Sequence, residues 1–140
     1  MGRVVVPAKI ENIVELYNAE QGLIPADQVH RLDIPDALVD TGSTHLCMPK
    51  RLIEQIGFTK PVTTANVQTT RGAAVSNIYG PVRLTIEGRF CTIDVAEVAE
   101  GRPVLIGQVP LELLDYVVDP KRNRLIGNPA HGGVQMFEQY

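Results

Sequence analysis

The sequence predicts a mainly β domain, antiparallel and barrel-like, with two short helices. Two observations carry this. The chain is 44% apolar but only 5% aromatic, so its core must be built from Val, Ile and Leu, which favours strands. Beyond Lys60 the pattern is all strand: Val82, Leu84 and Ile86 alternate, Glu87-Gly88 turns, and Cys91, Ile93 and Val95 alternate again, which describes a hairpin with one buried face. At 140 residues the chain suits one domain, large enough to bury a core without staples.

In chain order, Val4 to Ile10 is a β-branched run interrupted by Pro7 and is expected as an edge strand. Ile13 to Arg31 contains Gly22 and Pro25 and is expected to be a loop with at most a short turn of helix. Val29 to Ile34 alternates and predicts a strand, Pro35-Asp36 a turn, and Ala37-Leu38-Val39 a short apolar run that stops at Asp40. His45 to Met48 is extended. Pro49 suits a first helical position, Leu52, Ile53 and Ile56 share a helical face, and Gly57 is placed to cap it. Val62 to Thr70 and Ala73 to Tyr79 flank an Arg71-Gly72 turn, and Gly80-Pro81 punctuates. Val104-Leu105-Ile106 is a buried strand ended by Gly107, Pro110 to Asp115 one or two helical turns, and Tyr116 to Ile126 a final hairpin around Pro120 to Asn123. The domain is expected to occupy 1–127, with 128–140 a loose tail.

The formal charge of −3, without a basic block, argues against a nucleic-acid partner. No stretch reaches the length of a membrane span. The start of the chain lacks the apolar run of a signal peptide, and Met1-Gly2 followed by Val6 does not fit a myristoylation signal. The expectation is a soluble, cytoplasmic protein. Cys47 and Cys91 have no metal-ligand spacing and read as two small buried thiols; no metal or other cofactor is expected.

The chemistry lies in Ala37 to Thr44. Three apolar residues bring the chain out of a core and deliver the Asp40 carboxylate to a turn that needs a glycine, with the hydroxyls of Thr41 and Ser43 beside it. That is a local design for a carboxylate of tuned pKa. Peptide hydrolysis driven by carboxylates alone needs two of them, one ionised and one protonated, sharing a proton at about 3 Å. This chain has one such segment and no second Asp-Thr-Gly or Asp-Ser-Gly, so a two-fold dimer would have to bring Asp40 beside its own copy.

Leu38-Val39-Asp40-Thr41-Gly42-Ser43 resembles the active-site motif of the pepsin and retropepsin clan, and Leu105-Ile106-Gly107, sixty-seven positions after Asp40 by its glycine, resembles that clan's second signature. A helix after that glycine and a glycine-containing hairpin between the signatures, at Thr69 to Gly72, complete a layout similar to the stand-alone bacterial retropepsin-like proteases from Val4 to Gly127. The resemblance implies a retropepsin-like closed β-barrel, the acid-protease fold, active as a homodimer on peptide or protein substrates. It implies Asp40 as general acid and base, Thr41 bonding across the dimer axis, and Gly42 admitting substrate backbone. Ser43 would bond the outer oxygen of Asp40 and move the active range toward acid. Arg71 and Gly72 would form the tip of a flap, and Ile106 and Gly107 would flank the catalytic loop. Two departures stand against the retroviral pattern: Gln108 replaces an arginine, and the hairpin from Asp119 to Ile126 extends past it.

Rival readings are a catalytically silent dimerisation or peptide-binding module of the same fold, and an acid-dependent hydrolase using a single Asp. Of the histidines, His45 is expected to pack or lie at the surface, and His30 and His131 show no ligand spacing. Asp119 reads as a turn residue. Ser43 as a nucleophile has no histidine arranged to activate it.

Overall fold

Strand β1 (Val4–Asn12) and strand β2 (Arg31–Val39) run antiparallel along nearly their full lengths in the computed structural model, which describes residues 3–136. Val6 pairs with Ala37 and Ala8 with Ile34, so Pro7 faces both Pro35 and Asp36 across a β-bulge. The strand therefore continues through the turn expected at Pro35-Asp36. Proline has no N–H for a ladder, and a bulge is where one is lost at least cost. The same device recurs in β5 (Gly72–Ile86), whose register against β6 (Arg89–Val98) shifts between Tyr79 and Val82, leaving Gly80-Pro81 in the bulge rather than at a strand end.

Strand β1 is not an edge. It pairs with β2 on one side and with β5 on the other, Lys9 opposite Thr85 through Asn12 opposite Val82. With β3 (Leu46–Pro49) and the two-residue β7 (Leu105–Ile106), the order β1-β2-β7-β3-β6-β5 returns to β1, which closes a six-stranded barrel. Strand β4 (Thr63–Thr69) adds to the outer half of β5 and projects with it as a hairpin. The fold is thus the mainly β closed barrel that the sequence predicts. Ile10, Leu46, Tyr79, Leu84, Ile86 and Ile106 fill its interior, each fully buried. Both cysteines are buried and unpaired; burial raises the Cys91 thiol to about 11.

Among the described residues three α-helices pack on the barrel, one more than expected. Helix α1 (Ile13–Glu20) forms where the reading has a loop. Asn12 caps it, its side chain accepting from the Glu15 N–H at 3.2 Å, and Gly22 and Pro25 fall after its last turn rather than within it. Helix α2 (Lys50–Gln55) buries Ile53, and Gly57 follows it at φ +90°, the left-handed conformation that favours glycine. Helix α3 (Gln108–Leu114) leads into the hairpin of β8 (Tyr116–Asp119) and β9 (Arg124–Gly127), whose Leu125 reaches the core. Asp119, expected in the turn, is the last residue of β8, and its side chain accepts from the Lys121 N–H at 3.0 Å.

The tail differs from its expectation. Residues 128–136 are tied to Asp115, which is 5% exposed at the end of α3. Its carboxylate meets His131 Nδ1 at 2.6 Å, Met136 N–H at 3.1 Å and Asn128 Nδ2 at 3.2 Å. The Arg89 guanidinium lies over the Tyr116 ring and donates to the carbonyls of Leu114, Asp115 and Gly133. These partners are polar and scattered in sequence, so hydropathy does not reveal them. Residues 1–2 and 137–140, which include the Met1-Gly2 pair and the end of the tail, lie outside the described residues.

The hydrogen bond from His131, then those from Met136 and Asn128, hold the Asp115 carboxyl below its usual range although burial opposes them. A depressed carboxylate contributes stability above its unfolded pKa and loses it as pH falls through the folded one. We therefore expect amide protection of 128–136 to persist at neutral pH and fade below about pH 4. In Asp115→Ala the same amides should exchange freely at every pH; unchanged protection in that variant would show that other contacts hold the segment.

Candidate active site

Asp40 stands where β2 leaves the barrel. Leu38 and Val39 pair in parallel with Leu105 and Ile106, and the ladder continues past the strand: Leu38 N–H donates to Val104 at 2.8 Å and Asp40 N–H to Ile106 at 2.9 Å. The carboxylate is gripped from its own loop. Gly42 N–H donates to Oδ1 at 3.0 Å, Ser43 Oγ donates to Oδ2 at 3.0 Å, and Ser43 N–H closes the turn on the Asp40 carbonyl at 3.1 Å. A Cβ on Gly42 would stand 3.2 Å from Oδ1, so glycine leaves room for the bond its N–H makes. Asp40 and Ser43 are half-buried, while Thr41 and Gly42 are exposed. The carboxylate is fixed in orientation yet open to its surroundings.

The second signature holds this loop from below. Strand β7 lies between β2, parallel, and β3, antiparallel, with Ile106 opposite Leu46 and Leu105 opposite Cys47. Gly107 N–H donates to His45 at 2.9 Å, Gln108 N–H to Ser43 at 2.8 Å and Val109 N–H to Thr44 at 3.0 Å. Three successive carbonyls of the loop are thus taken up by three successive amides at the start of α3. A Cβ on Gly107 would come within 2.6 Å of the Ser43 and His45 carbonyl oxygens, so only glycine allows this approach.

The expected flap pair lies at the tip of the β4–β5 hairpin. Thr69 faces Gly72, leaving Thr70 and Arg71 as the two-residue turn. Thr69 Oγ1 accepts from Arg71 N–H at 3.1 Å and donates to the Gly72 carbonyl at 2.8 Å, and Gly72 takes φ +109°. The Arg71 side chain is exposed. The hairpin's base, not its tip, meets the loop's supports: Ile78, Ala96 and Cys47 form a small apolar cluster with Ala65, Val98 and Leu105.

Chain order does not reveal the place of Cys47 in that cluster. Its thiol is raised to about 11, first by burial and then by the negative charge of Asp40, so it stays protonated at neutral pH and is no nucleophile. The Ser43 hydroxyl is spent on Asp40, and the contact made by His45 near the loop is through its carbonyl oxygen. The two candidate nucleophiles beside Asp40 are therefore occupied or inert, and the reactive group the geometry presents is the carboxylate. Among the described residues there is no cluster of three or more His, Cys, Asp or Glu that could hold a metal ion.

No protein-family model matches the sequence, and no curated protein matches it. Among solved structures, it is similar to the solution structure of the Simian Foamy Virus (mac) protease. The TM-score is 0.47 at 19% identity, over 79% of this chain and 93% of that one. A likeness of that degree assigns no activity to this chain. Among the described residues no helix is long and apolar enough to cross a membrane.

Proposed function

We propose that this chain is an aspartic-type endopeptidase acting as a homodimer, in which water is activated between the Asp40 carboxylates of two protomers. The supporting observation is the loop itself: a carboxylate oriented by Gly42 and Ser43, braced on Gly107, and left open on the side away from its own barrel. A lone carboxylate has no proton-sharing partner. Juxtaposed with its copy, one ionised Asp40 takes the proton from water while the protonated one donates to the scissile carbonyl oxygen. On this reading Thr41 bonds between the two loops and Gly42 admits substrate backbone; both residues are exposed. The β4–β5 hairpin then serves as the flap, with Arg71 and Gly72 at its tip. Extended peptides with apolar side chains at the cut are the expected substrates.

A second reading, a peptide-binding or dimerisation module without catalysis, draws on Gln108. Its side chain turns to Glu112 at 3.1 Å, and only its backbone N–H braces the loop. Cleavage of a diverse peptide library from acid to neutral pH, comparing the native chain with Asp40→Asn, separates the two. The dimer requirement has its own test. Activity per chain should fall in proportion to dilution once sedimentation shows dissociation. Activity per chain that stays constant in a monomeric sample would favour a hydrolase using one Asp.

A further inference from the structure

We propose that Glu97 is a positioning residue whose carboxylate clamps the root of the β4–β5 hairpin, and that on the protease reading above it governs how the hairpin closes on substrate. Strand β5 pairs with β6 from Ile86 back to Ile78, whose partner is Ala96. Beyond Ile78 it pairs only with β4, from Asn77 opposite Thr64 to Gly72 opposite Thr69. Ile78 is thus the branch point, and the hairpin from Thr63 to Asn77 stands free of the barrel ladder.

Glu97 is the next residue of β6 past that last pair, and the side chains around the branch point converge on it. Tyr79 OH donates to Oε1 at 2.8 Å, Asn77 Nδ2 donates to the same oxygen at 3.4 Å, and Ser76 Oγ donates to the Glu97 carbonyl at 2.9 Å. Tyr79 lies on the barrel side of Ile78, paired with Val95, and fixes the carboxylate; where backbone pairing to the barrel stops, the bonds from Asn77 and Ser76 carry the attachment two residues further into the hairpin. Tyr79 is fully buried, and the Lys50 ammonium lies over its ring, 5.7 Å from the centroid. Its phenol is a fixed post, and its ionisation is pushed upward by burial and by the hydrogen bond to Glu97, which keeps it a donor.

The hairpin has little else to anchor it. From Pro61 to Gly80 its one charged residue is Arg71, at the tip. On its free portion Ala73, Ala74, Val75 and Asn77 are exposed. The apolar cluster of Cys47, Ile78 and Ala96 reaches into the hairpin as far as Ala65, opposite Ser76. A structure held by its root pivots about it, so the strength of the root sets the angle and rate of closure.

The test uses the full chain with Glu97→Ala and Glu97→Gln. Glutamine keeps an oxygen that accepts from Tyr79 and Asn77; alanine does not. Amide exchange at 63–77 should quicken about tenfold in Glu97→Ala, the scale of losing one or two hydrogen bonds, and stay near native in Glu97→Gln. Barrel amides at 82–86 and 91–95 should be unchanged in both. Hairpin exchange that does not respond to Glu97→Ala overturns the clamp. A rise that spreads equally through the barrel also overturns it, since general destabilisation is then sufficient. On peptide substrate, KM should rise in Glu97→Ala with kcat changed far less, and Glu97→Gln should restore it. A loosened hairpin with unaltered KM would sever the clamp from substrate closure. If the hairpin loosens as expected but the native chain cleaves nothing, the protease reading fails and the clamp stands.

Discussion

Replacing Asp40 by asparagine should leave the barrel standing and remove peptide cleavage. Asparagine has the shape of aspartate. Its Oδ1 can still accept from Gly42 N–H, and the Ser43 hydroxyl can rotate to accept from Nδ2 where it now donates to Oδ2. No buried group is orphaned, so the melting temperature should move by only a few degrees. An amide, however, can neither take a proton from water nor return one to the carbonyl oxygen. General acid–base catalysis contributes roughly 10²–10⁴-fold, and on the dimer proposal both members of the pair are lost together. Turnover should fall at least about 10³-fold at every pH. Cleavage that survives in Asp40→Asn at the native rate would exclude an aspartic mechanism. Absence of cleavage by both proteins, at concentrations where the dimer is populated, would favour the binding module.

The second large effect needs no substrate. In Gly107→Ala a methyl group would be driven to 2.6 Å from two carbonyl oxygens and 2.7 Å from the Thr44 carbonyl carbon. These atoms belong to backbone that three amides hold in place, so the clash cannot be relieved by turning a side chain. Overpacking of this kind costs on the order of 3 kcal/mol, or about 10 °C in melting temperature for a chain of this size. The Asp40 loop should shift with it. Gly22→Ala is the matched control: Gly22 has φ +77° but nothing within 4 Å of a new Cβ, so only backbone strain of about 1 kcal/mol applies. Equal melting temperatures for the two variants would show that the loop yields at Gly107.

What could be read in advance follows the range of the interactions. Asp40 to Ser43 is a local motif, and its hydrogen bonds span at most three residues, so the sequence displays it whole. Leu105-Ile106-Gly107 is visible as a string, but the reason for the glycine lies with Ser43 and His45, far back in the chain. The prolines misled for a definite reason. Pro7 opposite Pro35 and Asp36, and Pro81 beside Gly80, are strand breakers when each segment is considered alone. They are tolerated because each falls at a register shift between paired strands, where a ladder bond is already lost. Helix α1 was hidden because its punctuation, Gly22 and Pro25, falls just beyond its end, while its cap depends on Asn12, which also bonds the Ile56 carbonyl. Glu97 lies eighteen to twenty-one residues from its three donors, and Asp115 lies thirteen to twenty-one from those of the tail. No periodicity marks such polar convergence.

The two-residue strand β7 also fixes an order of events during synthesis. Asp40 emerges from the ribosome long before Leu105 and Ile106. At ordinary elongation rates of about 5–20 residues per second, several seconds pass before its supports exist. Until then β2 and β3 have no common neighbour, and the amides of Gly107, Gln108 and Val109 are not there to gather the carbonyls of residues 43–45. A nascent chain can form the β1–β2 and β5–β6 pairs, but it cannot hold the carboxylate in its final pose. The finished loop therefore comes late in translation, and depends on contacts distant in sequence. On the protease proposal, a chain stopped anywhere before Leu105 would carry the whole Asp-Thr-Gly-Ser segment without the amides that brace it, and should cleave nothing.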